Sequence, residues 1–271
     1  MPKKSRTGLA RALSKMGYCS RSQAAALIKS GRVTLNGRLV RDSETLVHMG
    51  RDHIRVDDEA VEEQPKIYLV MNKPRGLVTT ASDVEGRATV YDLLKPSVVS
   101  ARPRESGTEW VGPVGRLDKA SEGLLLFTND SKWAAKITDP NSRLEKRYHV
   151  QVDCIAGNDL LAQVRRGVEV AGERLRVKAA RVLRVGGKNS WLEISLDEGK
   201  NRHIRRLLEG LGVQVLRLVR VSIGPLELGV LKKGEVRPLT DGEKRLIDQV
   251  LDSESRSAAE KNSRRAPRNV G

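Results

Sequence analysis

Apolar positions in the first sixty residues come in short runs whose spacing changes partway along. Leu9, Leu13 and Met16 fall at helical intervals, with Gly17 as a stop. Ser20-Arg21-Ser22-Gln23 has the form of a capping box, with Gln23 placed to reach back to the Ser20 amide. It opens a second short helix through Ala24, Leu27 and Ile28, closed by Gly31. The period then drops to two. Val33 and Leu35 alternate with polar residues, Asn36-Gly37 supplies a type I′ turn, and Leu39 starts a return strand. His53–Val56 reads as a further strand.

The stretch 57–66, DDEAVEEQPK, breaks this pattern with five acids and a proline. Like-charge repulsion and Pro65 predict a linker, bounded as 61–66, after a module at 8–60. From Ile67 onward, strand-like runs (IYLVMNK, LLLFTND, RYHVQV, SWLEISL) are interspersed with helix-like ones (TVYDLL, SKWAAKI, NDLLAQVRR, NRHIRRLLEGL). Their order is irregular rather than strictly alternating, which predicts an α+β sheet over a doubly wound one for the domain 67–250. In the last of these helices Ile204, Leu207, Leu208 and Leu211 make one apolar stripe, leaving Arg202, His203, Arg205 and Arg206 off it. After Leu251 periodicity stops, and 251–271 is expected to be a disordered basic tail.

Charge changes the picture more than composition does. With 38% hydrophobic residues the 271-residue chain can bury a core, but its formal charge of +16 points to a polyanionic partner. Residues 1–60 alone carry twelve Lys or Arg against six Asp or Glu. Two cysteines, Cys19 and Cys154, make no disulfide framework, and the four histidines show no ligand spacing with them, so no metal site and a reducing compartment are expected. No apolar run approaches the eighteen or so residues of a membrane span. A cytoplasmic location is expected. The absence of acids before Asp42 makes organelle import the second reading.

No P-loop, GxGxxG or Ser-His-Asp order occurs, so nucleotide triphosphates, dinucleotides and acyl transfer lack support. Chemistry has to come from residues that are ordinary one at a time. Asp118, in GRLDKASEGLLLFTND (115–130), is by itself a turn residue before the apolar run Leu124–Phe127. Tyr148 in KRYHV is by itself a half-buried strand residue, and Arg205 a surface residue with Glu209 four positions on.

Taken together and in order, these stretches resemble one family. SRSQAAALIKSGRVTLNGRLV resembles the S4-type RNA-binding domain. NKPRGLVTT, GRLDKASEGLLLFTND, EKRYHV and GKNRHIRRLLEGLG, followed by LRLVRVSIGPLELGVLKKGEVRPLT, resemble ribosomal-RNA pseudouridine synthases of the RsuA type. The likeness spans roughly residues 8–245. It implies an S4-type module of helices and a hairpin, then a catalytic domain on a mixed, mainly antiparallel sheet flanked by helices. The implied activity is isomerisation of a uridine in ribosomal RNA, the large subunit favoured, without cofactor or metal.

By the same resemblance Asp118 is the reacting carboxylate. Arg205 pairs with it and keeps it ionised, Tyr148 stacks on the uracil, and Arg116 fills the space of the flipped nucleotide. Lys73, Lys200, Arg202 and Arg206 are phosphate contacts, and Arg11, Arg21, Lys29, Arg32 and Arg38 are RNA contacts of the small module. His203 stands where the family often has glutamine. The expected partner is ribosomal RNA or a subunit assembly intermediate, and the expected state a monomer. Three rival readings differ in class: a non-catalytic S4-type RNA-binding protein, a glycosidase using Asp118 and Glu122, and a DNA-binding helix-turn-helix protein.

Overall fold

The computed structural model describes residues 6–81, 83, 85–94, 99–100, 109–142 and 144–265. The chain forms two compact units. One holds the chain up to Leu69 with Val78–Gly115 and Leu126–Ala135, and the other holds Val70–Leu77, Arg116–Leu125 and the chain from Lys136.

In the first unit the local signals build the expected module. Its elements are β1 (Arg6–Gly8), α1 (Leu9–Lys15), α2 (Arg21–Lys29), β2 (Val33–Leu35), β3 (Arg38–Leu39), β4 (Leu46–His48), β5 (Ile54–Val56) and β6 (Glu59–Ala60). Both halves of the capping box form, Gln23 N donating to Ser20 Oγ (3.2 Å) and Ser20 N to Gln23 Oε1 (3.0 Å). Asn36 and Gly37 take φ of 52° and 79°, as a type I′ turn requires. Strands β3-β2-β5-β6 make one sheet, and Leu9, Leu13, Ala24, Leu27, Ile28, Val33, Ile54 and Val56 bury against one another.

The acidic stretch is tied down more than its charge suggested. Asp57 is paired with Arg32, and Glu59–Ala60 adds a strand. The buried Gln64 donates from its backbone to Met16 O (2.9 Å), and Pro65 O accepts from Asn129 Nδ2 (2.8 Å). Partners elsewhere in the same unit thus offset the repulsion between neighbouring acids.

The remaining elements are β7 (Tyr68–Lys73), β8 (Val99–Ser100), β9 (Glu109–Trp110), β10 (Gly112–Val114), β11 (Glu122–Thr128), α3 (Ser131–Thr138), β12 (Lys146–Val152), α4 (Asn158–Arg166), β13 (Val168–Val170), β14 (Glu173–Leu175), β15 (Ala179–Val185), β16 (Ser190–Leu196), α5 (His203–Glu209), β17 (Val215–Ile223), β18 (Leu226–Glu227), β19 (Val236–Pro238) and α6 (Asp241–Arg265). Their main sheet has the order β15-β16-β12-β17-β11-β7-β19, with β10 on β11 and β18 on β17. The β12 pairings are antiparallel and β11–β17 is parallel, so the sheet is mixed, as expected.

Alternation along the strands separates its faces. Val150, Val152, Leu192, Ile194 and Leu218 form a core with Leu161 and Val164 of α4 and Ile204, Leu207 and Leu208 of α5. Two elements differ from expectation. TVYDLL yields a single 3-10 turn, Val90–Leu93, because a Thr89–Asp92 capping box starts it and Leu94 is already extended. Helix α6 continues through Arg265, into the stretch read as a disordered tail. Its start is fixed by buried Ile247 and Leu251, and helix propagation needs only one further bond per residue.

Candidate active site

The loop 115–121 between β10 and β11 carries Asp118, and its backbone is held from three directions. Lys73, at the end of β7, is fully buried. Its Nζ donates to Asp118 O (3.1 Å), Ser121 O (2.8 Å) and Pro74 O (3.2 Å). Gly76 N donates to Lys119 O (2.8 Å), and Arg205 Nη2 to Ala120 O (3.0 Å). The four successive carbonyls from Asp118 to Ser121 therefore all have donors. That capture fixes the loop while leaving the carboxylate alone: Asp118 is half-buried and makes no ion pair with any described residue.

Two sequence expectations change here. Lys73 is not a phosphate contact, because its ammonium points into the loop it supports. Arg205 does not pair directly with Asp118; its guanidinium bridges Ala120 O and Val215 O (3.2 Å). Buried carbonyls compete for the same N–H groups, and an unsatisfied one costs about 1–3 kcal/mol. Asp118 still acts on both cations at a distance. Burial brings the Lys73 ammonium down to about 8, against the raising charges of Asp118 and Glu122 and with Arg220 adding to the fall. Burial, and then the Arg202 charge, lowers Arg205, and Asp118 pushes it back up.

Register brings in the third group. Gly123 lies opposite Arg220, and Arg220 opposite Tyr148, so β11, β17 and β12 set the three in one line. Tyr148 is half-buried on the core face. Gly123 has φ of 102°, and a Cβ there would sit 2.2 Å from Arg220 O, so only glycine lets β11 lie this close. Arg220, which the sequence reading passed over, is buried, and its Nε donates to Leu124 O (2.7 Å). The available signal was an arginine at a core-facing position of VLRLVRVSI.

Glu122 faces the other way, in register with Val219. Arg217 forks onto it (3.0 and 3.0 Å) and Lys233 closes to 2.6 Å. Burial would raise this carboxyl, but the bonds from Arg217 and Lys233 outweigh it and hold it low. Neutralised and on the opposite face, Glu122 is no second carboxylate for glycoside hydrolysis.

The other expected RNA contacts divide into free and engaged. Arg116 is exposed. Arg202 is exposed at the left-handed N-cap of α5 and reaches Glu209 (3.3 Å). Lys200 donates to Arg174 O (2.9 Å), and Arg206 pairs with Glu173 (2.7 Å), so both are internal ties rather than free phosphate contacts. His203 is buried 3.8 Å from Glu198, and burial lowers its pKa. In the small module Arg11, Arg21, Lys29 and Arg38 are exposed with no ion pair to a described residue, whereas Arg32 is taken by Asp57.

A half-buried carboxylate on a loop held by a buried lysine and arginine, in a chain that also carries a separate basic module, fits an RNA-modifying enzyme. The S4 domain family model matches residues 7–54 and the RNA pseudouridylate synthase model residues 67–210. The chain belongs to the RNA pseudouridylate synthase family, and it is an isomerase. "Ribosomal large subunit pseudouridine synthase B" of Bacillus subtilis is 32% identical over 246 residues, covering 90% of this chain and 96% of its own. The Haemophilus influenzae protein of that name is 35% identical over 233 residues, covering 84% and 62%. An "Uncharacterized RNA pseudouridine synthase" of Aquifex aeolicus is 37% identical over 232 residues, covering 85% and 89%. A solved structure, "Crystal structure of pseudouridylate synthase", matches with a TM-score of 0.60 at 27% identity, covering 89% of this chain and 99% of that one.

Proposed function

We propose that this chain converts a uridine of large-subunit ribosomal RNA to pseudouridine, with Asp118 as the reacting carboxylate. The relatives named for the large subunit support the substrate. The observation that carries the mechanism is the capture of the carbonyls from Asp118 to Ser121, which holds the loop still and leaves the carboxylate unpaired.

The target nucleotide is flipped onto the loop, with Arg116 entering the vacated space. The N1–C1′ bond breaks while the Asp118 carboxylate bonds to, or stabilises, the electron-poor sugar. The detached uracil turns and its C5 bonds to C1′ as any bond from Asp118 to C1′ breaks and the carboxylate is regenerated. The C5 proton is relayed by Tyr148 to solvent, and N1 takes one proton from solvent. Substrate and product are isomers, so the atoms balance without a co-reactant. Lys73 and Arg205 act as positioning residues: they hold the loop by its carbonyls and so keep the carboxylate in place without a direct ion pair. The substrate is ribosomal RNA or an assembling subunit, met in the cytoplasm by a monomer.

Mapping pseudouridines in ribosomal RNA from cells lacking the protein tests this. One position, or two adjacent ones, should revert to uridine in the large-subunit RNA. An unchanged map, or a loss confined to the small subunit, contradicts it.

A further inference from the structure

The sheet face opposite Tyr148 carries a row of residues that the catalytic account does not use. Arg184 on β15 is in register with Trp191 on β16, Trp191 with Gln151 on β12, and Gln151 with Arg217 on β17. The Arg217 guanidinium reaches over to lie 5.5 Å from the Trp191 ring centroid. Gln151 Nε2 donates to Asn189 Oδ1 (3.2 Å), which brings the hairpin carrying Lys188 alongside the row. The next row differs, because there Arg181 is neutralised by Glu193 (2.7 Å).

In the first row the cations are in excess. Arg184 and Lys188 are exposed and make no ion pair with a described residue, and Arg217 and Lys233 share the single charge of Glu122. An uncompensated positive row with a half-buried indole in it has the composition of a stacking platform for a nucleic-acid strand. Acidic protein surfaces would match the charge but give the ring no base to stack on.

We propose that this row is a second RNA-binding surface. It takes a single-stranded segment of the substrate RNA by phosphates on Arg184 and Lys188 and by one base against Trp191. The proposal uses only the RNA-acting character of the family, so the large-subunit reading stands or falls separately.

The test is fluorescence titration of the full chain with a uridine-rich single-stranded RNA oligonucleotide. Trp110 and Trp133 are buried, so quenching by RNA reports on Trp191. We expect saturable quenching that Trp191→Phe abolishes. The Arg184→Gln/Lys188→Gln variant should raise Kd about tenfold. It should also lower the slope of log Kd against log salt by about 1.4, two contacts at roughly 0.7 each. A matched pair of exposed cations on helices α4 and α6, Arg166→Gln/Arg245→Gln, should change Kd less than threefold, about the scale of a long-range field. The proposal is overturned by absent quenching, by quenching that survives in Trp191→Phe, or by equal effects of the two charge pairs. Displacement of the oligonucleotide by polyglutamate at equal charge would point to a protein ligand and overturn it too.

Discussion

Lys73 shows how far a residue's role depends on where its chain end goes. In NKPRG it stands at a break in a strand and looks like a surface cation, yet it is buried beneath three carbonyls. Lys73→Met keeps the volume and removes the donors. It should lower kcat more than tenfold while leaving RNA Kd within about twofold, read by single-turnover kinetics and anisotropy. The group's pKa of about 8 lies below its ordinary value of 10.5. Between those values the unfolded chain holds the extra proton, so this group's contribution to stability rises with pH. Activity should move the opposite way, falling as pH passes through about 8, because a neutral amine has one donor fewer for its three acceptors. Lys73→Met should lack that limb of the pH profile.

Elements were the part most legible in the sequence, and legibility followed locality. The Ser20–Gln23 box and the Asn36-Gly37 turn are completed by neighbours three residues away or fewer, so pattern alone predicted them. Ser20→Ala should cost the small module about 1 kcal/mol, read from its thermal or denaturant unfolding. The GRLD stretch was legible as a motif, but its support was not, because Lys73 and Arg205 come to its loop from a strand and a helix far away in sequence. Lys200 and Arg206 misled for the same reason, since Glu173 lies far from them in sequence. At Gly123 the element and the site meet. Gly123→Ala puts a Cβ on Arg220 O and should destabilise by roughly 3 kcal/mol or more, seen as a large fall in Tm.

At the scale of the whole molecule the charge of +16 is divided between cations that are free and cations that hold the structure. Arg11, Arg21, Lys29 and Arg38 are exposed and make no ion pair with a described residue. Replacing all four with glutamine should lower the slope of log Kd against log salt by roughly 3 for the ribosomal RNA substrate. Replacing Lys200 or Arg206 should leave that slope unaltered and lower Tm instead. Net charge therefore predicts the kind of partner but not which residues meet it. The central claim concerns Asp118, whose carboxylate makes no ion pair with a described residue. Its most direct test is single-turnover pseudouridine formation by Asp118→Asn on large-subunit ribosomal RNA, with RNA Kd measured alongside. The account predicts no detectable product at unchanged Kd; product formed at a rate near that of the parent protein would contradict it.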